Sequence, residues 1–539
     1  ESMKKPLIPI GYPRPHIYRS SWRSLNGNWD FDFYDDEFIV PPKERIQHAL
    51  KHSIEVPFAY QCSASGIDDQ SVHSAVIYRK TVQLHDTERA SRLRLHFSGI
   101  DYHAQVWING TFSGEHYGGY TAFSIDVPQS PRSGDTMVVT IIARDTGDTS
   151  QPRGKQAPDT PFACWYTAGT GIWREVWLET LPETFIEDIV SQPASGETLT
   201  FEVRLSQPAP DSYLKGELLL DDRVVAEHKM QARYPLTSCT FHLPNPALWS
   251  PNAPRLYYVR FSLVNSGDTI DTVLSYSAFR SLDLNRNGLY INDDRYFQRL
   301  ILMQGYWGGT GYTPSSPEVF ENEIEKAKAM GFNGCRMHMK FEDPRFYYAA
   351  DRLGFLVWDE APAFYSFTDR SRHAFLQMWC ENITLSSHHP SIVARVICNE
   401  SWGIREVAES RAQQLWLKGL VDTIRGKDSS RPLISNDGWE HLDSDIVSFH
   451  SYEHDPSNIR EEWTKARKNE PCGIEKKRIW ITGPIPGDRP WMLSEFGGVS
   501  YISRGDTGPS WGYEDEAEGI GELQERFSAI LRTISQLDG

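Results

Sequence analysis

The chain has 539 residues, which is too long for one hydrophobic core, so two to four domains are expected. Its formal net charge is −17, with acidic and basic residues spread along the chain. This argues against nucleic acid and anionic membrane as partners, because both need clustered Lys and Arg. No apolar run reaches the 18 residues that a membrane-spanning helix needs.

The cysteine and aromatic content limits the class of protein and the kind of ligand further. The seven cysteines are scattered and never spaced C-x-x-C, so neither a disulfide framework nor a zinc site is expected. The sequence opens ESMKKPLIPI, without an apolar signal segment. A bacterial-type cytoplasmic location is therefore favoured, and a periplasmic or secreted one stays open if a signal peptide was removed. The 17 Trp residues suit a neutral ligand with flat faces, such as a sugar.

Up to about residue 280 the sequence consists of short alternating runs separated by turn residues. YRKTVQL (78–84) and RLRLHF (92–97) alternate with period two, and Asn109-Gly110 is a strong hairpin signal. A second group of such runs begins with LTFEVRL (199–205) and spans about 100 residues. We therefore predict a β-sandwich domain over residues 1–182 and an immunoglobulin-like β-sandwich over residues 183–282.

From residue 283 the pattern changes to apolar strands that alternate with helices. Seven strand segments can be counted, and repeats of this kind predict a parallel sheet covered on both faces. We predict a (β/α)₈ TIM barrel over residues 283–539, so the fold class is multidomain β plus α/β. An eighth strand is missing before Gly539, and truncation of the chain is the expected reason. No phosphate-binding glycine motif follows any strand.

Two glutamates are the leading catalytic candidates. In a barrel of this kind, polar residues at the carboxyl ends of the strands line the active site. Glu400 ends the segment IVARVICNE and Glu495 lies in WMLSEF, 95 residues later, so three βα units separate them. Glycoside cleavage requires two opposed carboxyls, one protonated to donate to the leaving oxygen and one ionised to attack the anomeric carbon. Burial at a strand end favours the protonated form that an acid needs.

Motifs along nearly the whole chain resemble glycoside hydrolase family 2, the family of β-galactosidases, β-glucuronidases and β-mannosidases. SLNGNWDF (24–31) and GIWREVWLE (171–179) are similar to its jelly-roll sugar-binding domain. AKAMGFNGCRMH, DRLGFLVWDEAP, HHPSIVARVICNES and LSEFGG follow the order of its barrel strands. The resemblance implies Glu400 as acid/base and Glu495 as nucleophile. It also implies that Asn399 binds the sugar 2-hydroxyl and that Tyr452 donates to the nucleophile.

The resemblance and the strand-end positions supply further substrate-binding candidates. The family's R-x-x-H-Y-P spacing is altered here to R-M-H-M-K, which leaves the role of His338 open and brings in Lys340. Asp359 is expected either to contact sugar hydroxyls or to pair with Arg336. Trp165 and Tyr166 lie where the family's first domain reaches toward the barrel. The full set of binding candidates is Asn399, Tyr452, Arg336, His338, Asp359, His450, Trp439 and Trp511.

The sequence therefore predicts a retaining exo-β-glycosidase with a carbohydrate substrate and no organic cofactor. β-Galactoside is the first choice on family frequency alone, and β-glucuronidase, β-mannosidase and arabinosidase activities stay open. An inactive carbohydrate-binding relative is the alternative of another class. No metal-ligand set can be identified, although Mg²⁺ stays open because some β-galactosidases of the family use it. A homo-oligomer is expected because family members often assemble through their β domains.

Overall fold

The computed structural model describes residues 6–35, 46–128, 136–158, 160–501 and 511–537. The first part of the chain folds into antiparallel sheets, with a six-stranded sheet β3-β2-β4-β10-β7-β8, a four-stranded sheet β1-β12-β5-β9 and the pair β11-β6. A short 3₁₀ helix, Ser63–Ser65, and the helix α1, Asp86–Ala90, lie between strands. The strands are β1 Trp22–Ser24, β2 Gly27–Phe33, β3 His52–Val56, β4 Ala75–Gln83, β5 Arg92–Phe97, β6 Ile100–Asp101, β7 His103–Ile108, β8 Thr111–Tyr117, β9 Phe123–Asp126, β10 Thr136–Arg144, β11 Gly171–Ile172 and β12 Val176–Leu181.

The predicted hairpin in this first sandwich is confirmed. β7 pairs with β8 through a turn at Asn109 and Gly110, whose φ angles are +50° and +76°. These two residue types tolerate left-handed backbone, which the two-residue turn requires at both positions. The apolar faces of the two larger sheets meet in one core that includes Trp29, Phe31 and Tyr78.

A second, smaller sandwich follows, made of sheets β13-β14-β17 and β16-β15-β18-β19. Along β14, Leu199, Phe201, Val203 and Leu205 are buried while the residues between them are more exposed. This period of two places one face of each sheet in a shared apolar core. The strands are β13 Ile186–Ser191, β14 Thr198–Leu205, β15 Ser212–Leu220, β16 Arg223–Gln231, β17 Leu236–His242, β18 Tyr257–Asn265 and β19 Asp268–Ser277.

The α/β part begins with a small antiparallel sheet that the sequence did not predict, made of β20 Leu282–Asn285, β21 Gly288–Ile291 and β22 Asp294–Tyr296. Seven parallel strands follow among the described residues, the number counted from the sequence. They form a five-stranded sheet β23-β24-β25-β26-β27 and a pair β28-β29. They are β23 Leu300–Met303, β24 Gly334–Met337, β25 Leu356–Glu360, β26 Ile392–Val396, β27 Leu433–Ile434, β28 Val447–Ser451 and β29 Trp491–Phe496.

Four of the six helices described in this region begin at a residue whose side chain accepts a hydrogen bond from the first turn. Asp343 accepts a 2.9 Å bond from the Arg345 amide at the start of α3, which ends at a left-handed Gly354. The helices are α2 Glu318–Ala329, α3 Pro344–Leu353, α4 Asp369–Ser386, α5 Arg411–Lys427, α6 Pro456–Arg467 and α7 Ile520–Ile534. No helix within the described ranges has the length and apolar character to cross a membrane.

Candidate active site

Polar side chains from the carboxyl ends of the parallel strands form one cluster. Strands β24, β25, β28 and β29 each contribute a side chain at or near their last residue, and the turn after β26 contributes two more. These residues are Arg336, Glu360, His450, Glu495, Asn399 and Glu400. The cluster lies at the end of the sheet where parallel α/β folds place their active sites.

The sequence placed Glu400 at the end of a buried strand, and this is wrong. The strand β26 ends at Val396, and Glu400 lies in the turn that follows it. Asn399 pairs with Asp437 in an isolated parallel bridge just beyond β26. Glu400 and Ser401 then adopt φ angles of +49° and +57°. Such left-handed residues cost about 1–3 kcal/mol each and persist only where their surroundings hold them. One holding contact is the Ser401 amide, which donates to Oδ1 of Asn436 over 2.9 Å.

The two glutamates face each other across the Tyr452 hydroxyl. This oxygen lies 2.7 Å from Oε1 of Glu400 and 2.9 Å from Oε1 of Glu495. The two carboxylate oxygens are therefore less than about 6 Å apart. The Glu400 and Glu495 side chains are 13% and 10% exposed, so both keep some contact with the space outside the protein. A spacing near 5–5.5 Å is typical of retaining glycosidases, whereas inverting enzymes need a wider gap.

Positive charges hold Glu495 in its ionised form. Burial by itself would raise the pKa of this carboxyl, but the charges of His450 and Arg336 outweigh burial and hold the pKa well below its usual range. Nη1 of Arg336 donates to Oε2 of Glu495 over 2.6 Å, and Nε2 of His450 is 3.8 Å from the same oxygen. An ionised carboxylate is what a nucleophile requires.

His450 is held as a cation between carboxylates. Burial works against its charge, but Glu495 and Asp437 more than compensate and raise the pKa of His450 to about 10. Nε2 lies 3.0 Å from Oδ2 of Asp437, and Nδ1 lies 2.8 Å from Oε1 of Glu400. With both ring nitrogens protonated, His450 donates to Asp437 and to Glu400.

Arg336 connects most of the cluster. Its Nε donates to Oε2 of Glu360 over 2.6 Å and lies 2.9 Å from Oδ2 of Asp437. Its Nη2 donates to Oδ1 of Asn399 over 2.6 Å, which leaves the Asn399 amide nitrogen with only the Met339 sulfur, 3.9 Å away. The arginine thus orients the Asn399 side chain so that its NH₂ group can donate to a ligand.

The structure contradicts two of the predicted binding residues. Asp359 is fully buried, and it accepts bonds from Tyr347, Asn382 and Arg395 but makes no bond to Arg336. Since neighbouring strand residues point to opposite faces, Glu360 takes the inward position instead. Trp439 is 1% exposed and packs in an apolar cluster, with its ring edge against His450 at 5.8 Å, so it offers no free face for a sugar.

The remaining candidates occupy different parts of the site. His338 is buried beside the cluster, and within the described part of the chain its ring nitrogens have no hydrogen-bond partner. Trp511 is 44% exposed and contacts Tyr513 edge-on at 4.7 Å. Lys340 faces away from the cluster, since it is fully buried and donates to the carbonyls of Gly305 and Tyr312.

Sequence reasoning missed several residues that shape the site. Glu360 and Asp437 both lie beside Arg336, and no spacing rule in the sequence shows this. Tyr513 stacks on Tyr452 with ring centroids 3.6 Å apart. Its only sequence signal was its place two residues after Trp511.

The first sandwich closes one side of the site, as its predicted loop suggested. Trp165 stacks on Trp402, two residues after Glu400, with ring centroids 4.9 Å apart. Tyr166 stacks on Tyr306 at 4.2 Å. This aromatic wall lies beside the proposed catalytic turn and suits a flat sugar face.

The described residues contain no group of three or more His, Cys, Asp or Glu side chains arranged to hold a metal ion.

Two facing glutamates thus lie at the ends of parallel strands, with a β-sandwich closing one side, and paired carboxyls of this kind are typical of glycoside hydrolases. Residues 22–182 match the family described as "Glycosyl hydrolases family 2, sugar binding domain", and residues 184–280 match "Glycosyl hydrolases family 2". Both matches are to glycoside hydrolase family 2, so residues 22–182 and 184–280 of this chain are similar to the two β domains of that family.

Individual relatives agree with this assignment. A protein of Formosa agariphila provisionally named a β-glucuronidase is 26% identical over 543 residues, covering 98% of this chain and 62% of the relative. The β-galactosidase of Thermoanaerobacter pseudethanolicus is 24% identical over 421 residues, covering 76% and 53%. This chain thus spans less than two thirds of the length of either relative.

A solved structure shows the same fold. The β-glucuronidase of Bifidobacterium dentium, complexed with coumarin-3-O-glucuronide, superposes with a TM-score of 0.76 at 17% identity, covering 97% of this chain and 90% of that one.

Proposed function

We propose that this protein is a retaining exo-β-glycosidase that hydrolyses terminal, non-reducing β-linked sugars. Glu495 is the nucleophile and Glu400 is the acid/base. The observation that carries the proposal is the short separation of the two carboxyls, which meet the same Tyr452 hydroxyl. This spacing leaves no room for a water molecule between a glutamate and the sugar, which an inverting mechanism needs.

In the first step, the ionised Glu495 attacks the anomeric carbon and forms a covalent glycosyl ester. Glu400 donates its proton to the glycosidic oxygen as the bond to the leaving group breaks. The low pKa of Glu495 keeps this carboxylate available for attack near neutral pH.

In the second step, Glu400 is ionised and removes a proton from a water molecule that attacks the anomeric carbon. The ester bond to Glu495 breaks, and the sugar leaves with its β configuration retained. His450 donates to Oε1 of Glu400 and so stabilises the carboxylate that the first step creates.

Two further neighbours assist this cycle. The Asn399 amide, oriented by Arg336, donates to a hydroxyl beside the reacting carbon, and such a bond strengthens in the transition state. The Tyr452 hydroxyl donates to whichever glutamate is ionised, because it reaches both.

The seven parallel strands are proposed to belong to a (β/α)₈ barrel. The five-stranded run and the β28-β29 pair each join consecutive strands of the chain in parallel, as a barrel requires. The predicted domain ranges 1–182, 183–282 and 283–539 serve as the working division of the chain.

The sugar is the finer part of the proposal. β-Galactoside is the first choice from sequence, and relatives named β-glucuronidase and β-galactosidase match 98% and 76% of this chain. β-Mannoside and arabinoside substrates complete the set to be tested.

The test is hydrolysis of aryl β-galactoside, β-glucuronide, β-mannoside and β-glucoside, together with an α-L-arabinoside. Wild type is compared with Glu495→Gln and Glu400→Gln. Turnover of one sugar that both substitutions suppress supports the proposal. Sugar binding without turnover of any glycoside would favour the alternative, an inactive carbohydrate-binding relative.

Three further points stay proposals. They are a cytoplasmic location, with a periplasmic or secreted one if a signal peptide was removed, a homo-oligomeric assembly, and activity without an organic cofactor. Gel filtration with light scattering and assays with and without a metal chelator test the last two.

A further inference from the structure

One cation at the site has no part in the proposed chemistry. Lys155 lies in the loop of the first sandwich that docks on the α/β region. The amides of Arg153 and Gly154 both donate to the Ala363 carbonyl, over 2.9 and 3.1 Å. A Cβ atom on Gly154 would stand 2.4 Å from the Met339 carbonyl oxygen, so the loop is pressed against the turn after β24. This packing holds Lys155 at the carboxyl ends of β24 and β25.

Among the residues that the structure describes, Lys155 has no partner for its charge. It is 8% exposed, and within the described ranges its ammonium makes no hydrogen bond or ion pair. Burial of an unpaired ammonium is costly, so such a group is expected to meet a counter-charge when the site is filled. Its charge also reaches the reaction centre, because it is among the causes, after burial and stronger neighbours, that set the pKa of Glu495.

His338 is a second unsatisfied group in the same place. It is 2% exposed, and both ring nitrogens lack a partner. Nδ1 lies 3.0 Å from Oε1 of Glu360, but without the alignment of a hydrogen bond. Burial, and next the charge of Lys155, hold the pKa of His338 well below its usual range. The neutral ring can therefore donate one hydrogen bond to a ligand and accept another.

The charged groups around the nucleophile are paired with one another. Glu495 and Asp437 are held as anions, and Arg336 and His450 are held as cations that also bond to Glu360 and Glu400. Lys155 adds a positive charge that forms no ion pair with any of these carboxyls. A neutral sugar leaves this charge unpaired, whereas a sugar that carries an anionic group pairs it.

We propose that Lys155 and His338 form a subsite for a negatively charged group, a carboxylate or a sulfate, on the sugar whose bond is cleaved. The inference rests on the proposed glycosidase activity and narrows its substrate to acidic glycosides. Lys155 supplies the charge and His338 a hydrogen bond, and both groups are released from an unsatisfied state when the anion binds. An acidic substrate differs from the first choice made from the sequence, which is a neutral galactoside.

The test measures binding with thioglycosides, whose sulfur linkage resists hydrolysis, so that turnover is not needed. Calorimetry compares phenyl 1-thio-β-D-glucuronide with the corresponding glucoside, and a 6-sulfated phenyl thio-β-D-galactoside with its unsulfated form. We expect at least one charged ligand to bind wild type more than about tenfold tighter than its neutral partner. Lys155→Met removes this preference and Lys155→Arg keeps most of it. Lys418→Met, an equal charge change on the outer helix α5, leaves it intact.

The outcomes separate the sources of the anion and the two proposals. A preference in the glucuronide pair alone identifies a carboxylate, and one in the sulfated pair alone identifies a sulfate. Three results would overturn the subsite. Wild type shows no preference for charged ligands, folded Lys155→Met keeps the preference, or this substitution weakens the binding of charged and neutral ligands equally. A charge preference in a protein that hydrolyses no glycoside would support the subsite and refute the proposed activity.

Discussion

Nδ1 of His450 lies 2.8 Å from Oε1 of Glu400 and donates to it from a ring that the surrounding carboxylates keep protonated. A charge-assisted hydrogen bond of this kind is strong when its acceptor is a carboxylate, which is the form of Glu400 that the second step uses. The same ring also bonds to Asp437, so its position does not depend on the protonation of Glu400.

The charge of His450 makes stability depend on pH. Its pKa is raised from an ordinary 6.5 to about 10 in the folded protein, so its stabilising effect is complete below pH 6.5 and is lost as pH rises through 10. Between pH 7 and pH 10 the free energy of unfolding should fall more in wild type than in His450→Gln. The difference between the two losses should be on the order of 2–5 kcal/mol. Urea midpoints of both proteins at the two pH values measure this, and parallel losses would show that His450 is not charged in the fold.

Removal of the Tyr452 hydroxyl should impair the chemistry without removing the ring. Tyr452→Phe keeps the stack on Tyr513 but takes away the donor shared by Glu400 and Glu495. A hydrogen bond to a charged group contributes about 1.5–3 kcal/mol, so kcat/KM should fall about 10- to 100-fold. The acid limb of the pH profile should move upward, since Glu495 loses a bond to its ionised form. An unchanged profile would mean that the hydroxyl does not act on the nucleophile.

Substitution of Glu400 should depend on the leaving group. Glu400→Gln cannot donate a proton, so hydrolysis of an alkyl or phenyl glycoside should fall by about 10²- to 10⁴-fold. A dinitrophenyl glycoside needs no proton on its leaving oxygen, so the rate of its first step should fall far less. This is seen as a rapid burst of dinitrophenolate. Glu409→Gln, at an exposed position in the segment that follows Glu400, serves as the matched control. Equal losses for all leaving groups would argue against Glu400 as the acid.

The docking of the first sandwich should depend on one glycine. Gly154 has φ +62°, and a Cβ there would clash with the Met339 carbonyl oxygen at 2.4 Å. Gly154→Ala should destabilise the protein by more than about 1 kcal/mol and lower activity, because the loop carries Lys155 and Trp165 to the site. Gly419→Ala, on helix α5 with nothing within 4 Å, should stabilise by about 0.5–1 kcal/mol. Thermal melting and kcat/KM of both variants check the contrast.

Strand patterns and motif spacing were enough to predict the seven parallel strands and the convergence of Glu400 with Glu495. Period two and turn residues mark strands locally, and the carboxyl ends of parallel strands share one edge whatever the details of packing. The hairpin at Asn109 and Gly110 was predictable for the same reason, since its turn chemistry is local.

Side-chain direction and contacts between domains were not predictable in this way. Asp359 and Glu360 are neighbours in one strand, and only the register of β25 decides which of them faces Arg336. Trp439 and Trp511 look alike in sequence, but one is packed in the core and the other is exposed. Lys155 reaches the site through a loop that is distant in sequence, and no local pattern announces such a contact.

The central claim is that Glu495 attacks the sugar, and trapping the covalent intermediate tests it most directly. The protein is incubated with a 2-deoxy-2-fluoro glycosyl fluoride of the sugar that it hydrolyses, and the adduct is located by mass spectrometry of its peptides. The mechanism predicts one added glycosyl group on the peptide that carries Glu495 and none in Glu495→Gln. An active enzyme that forms no adduct, or one labelled at Glu400, would contradict it.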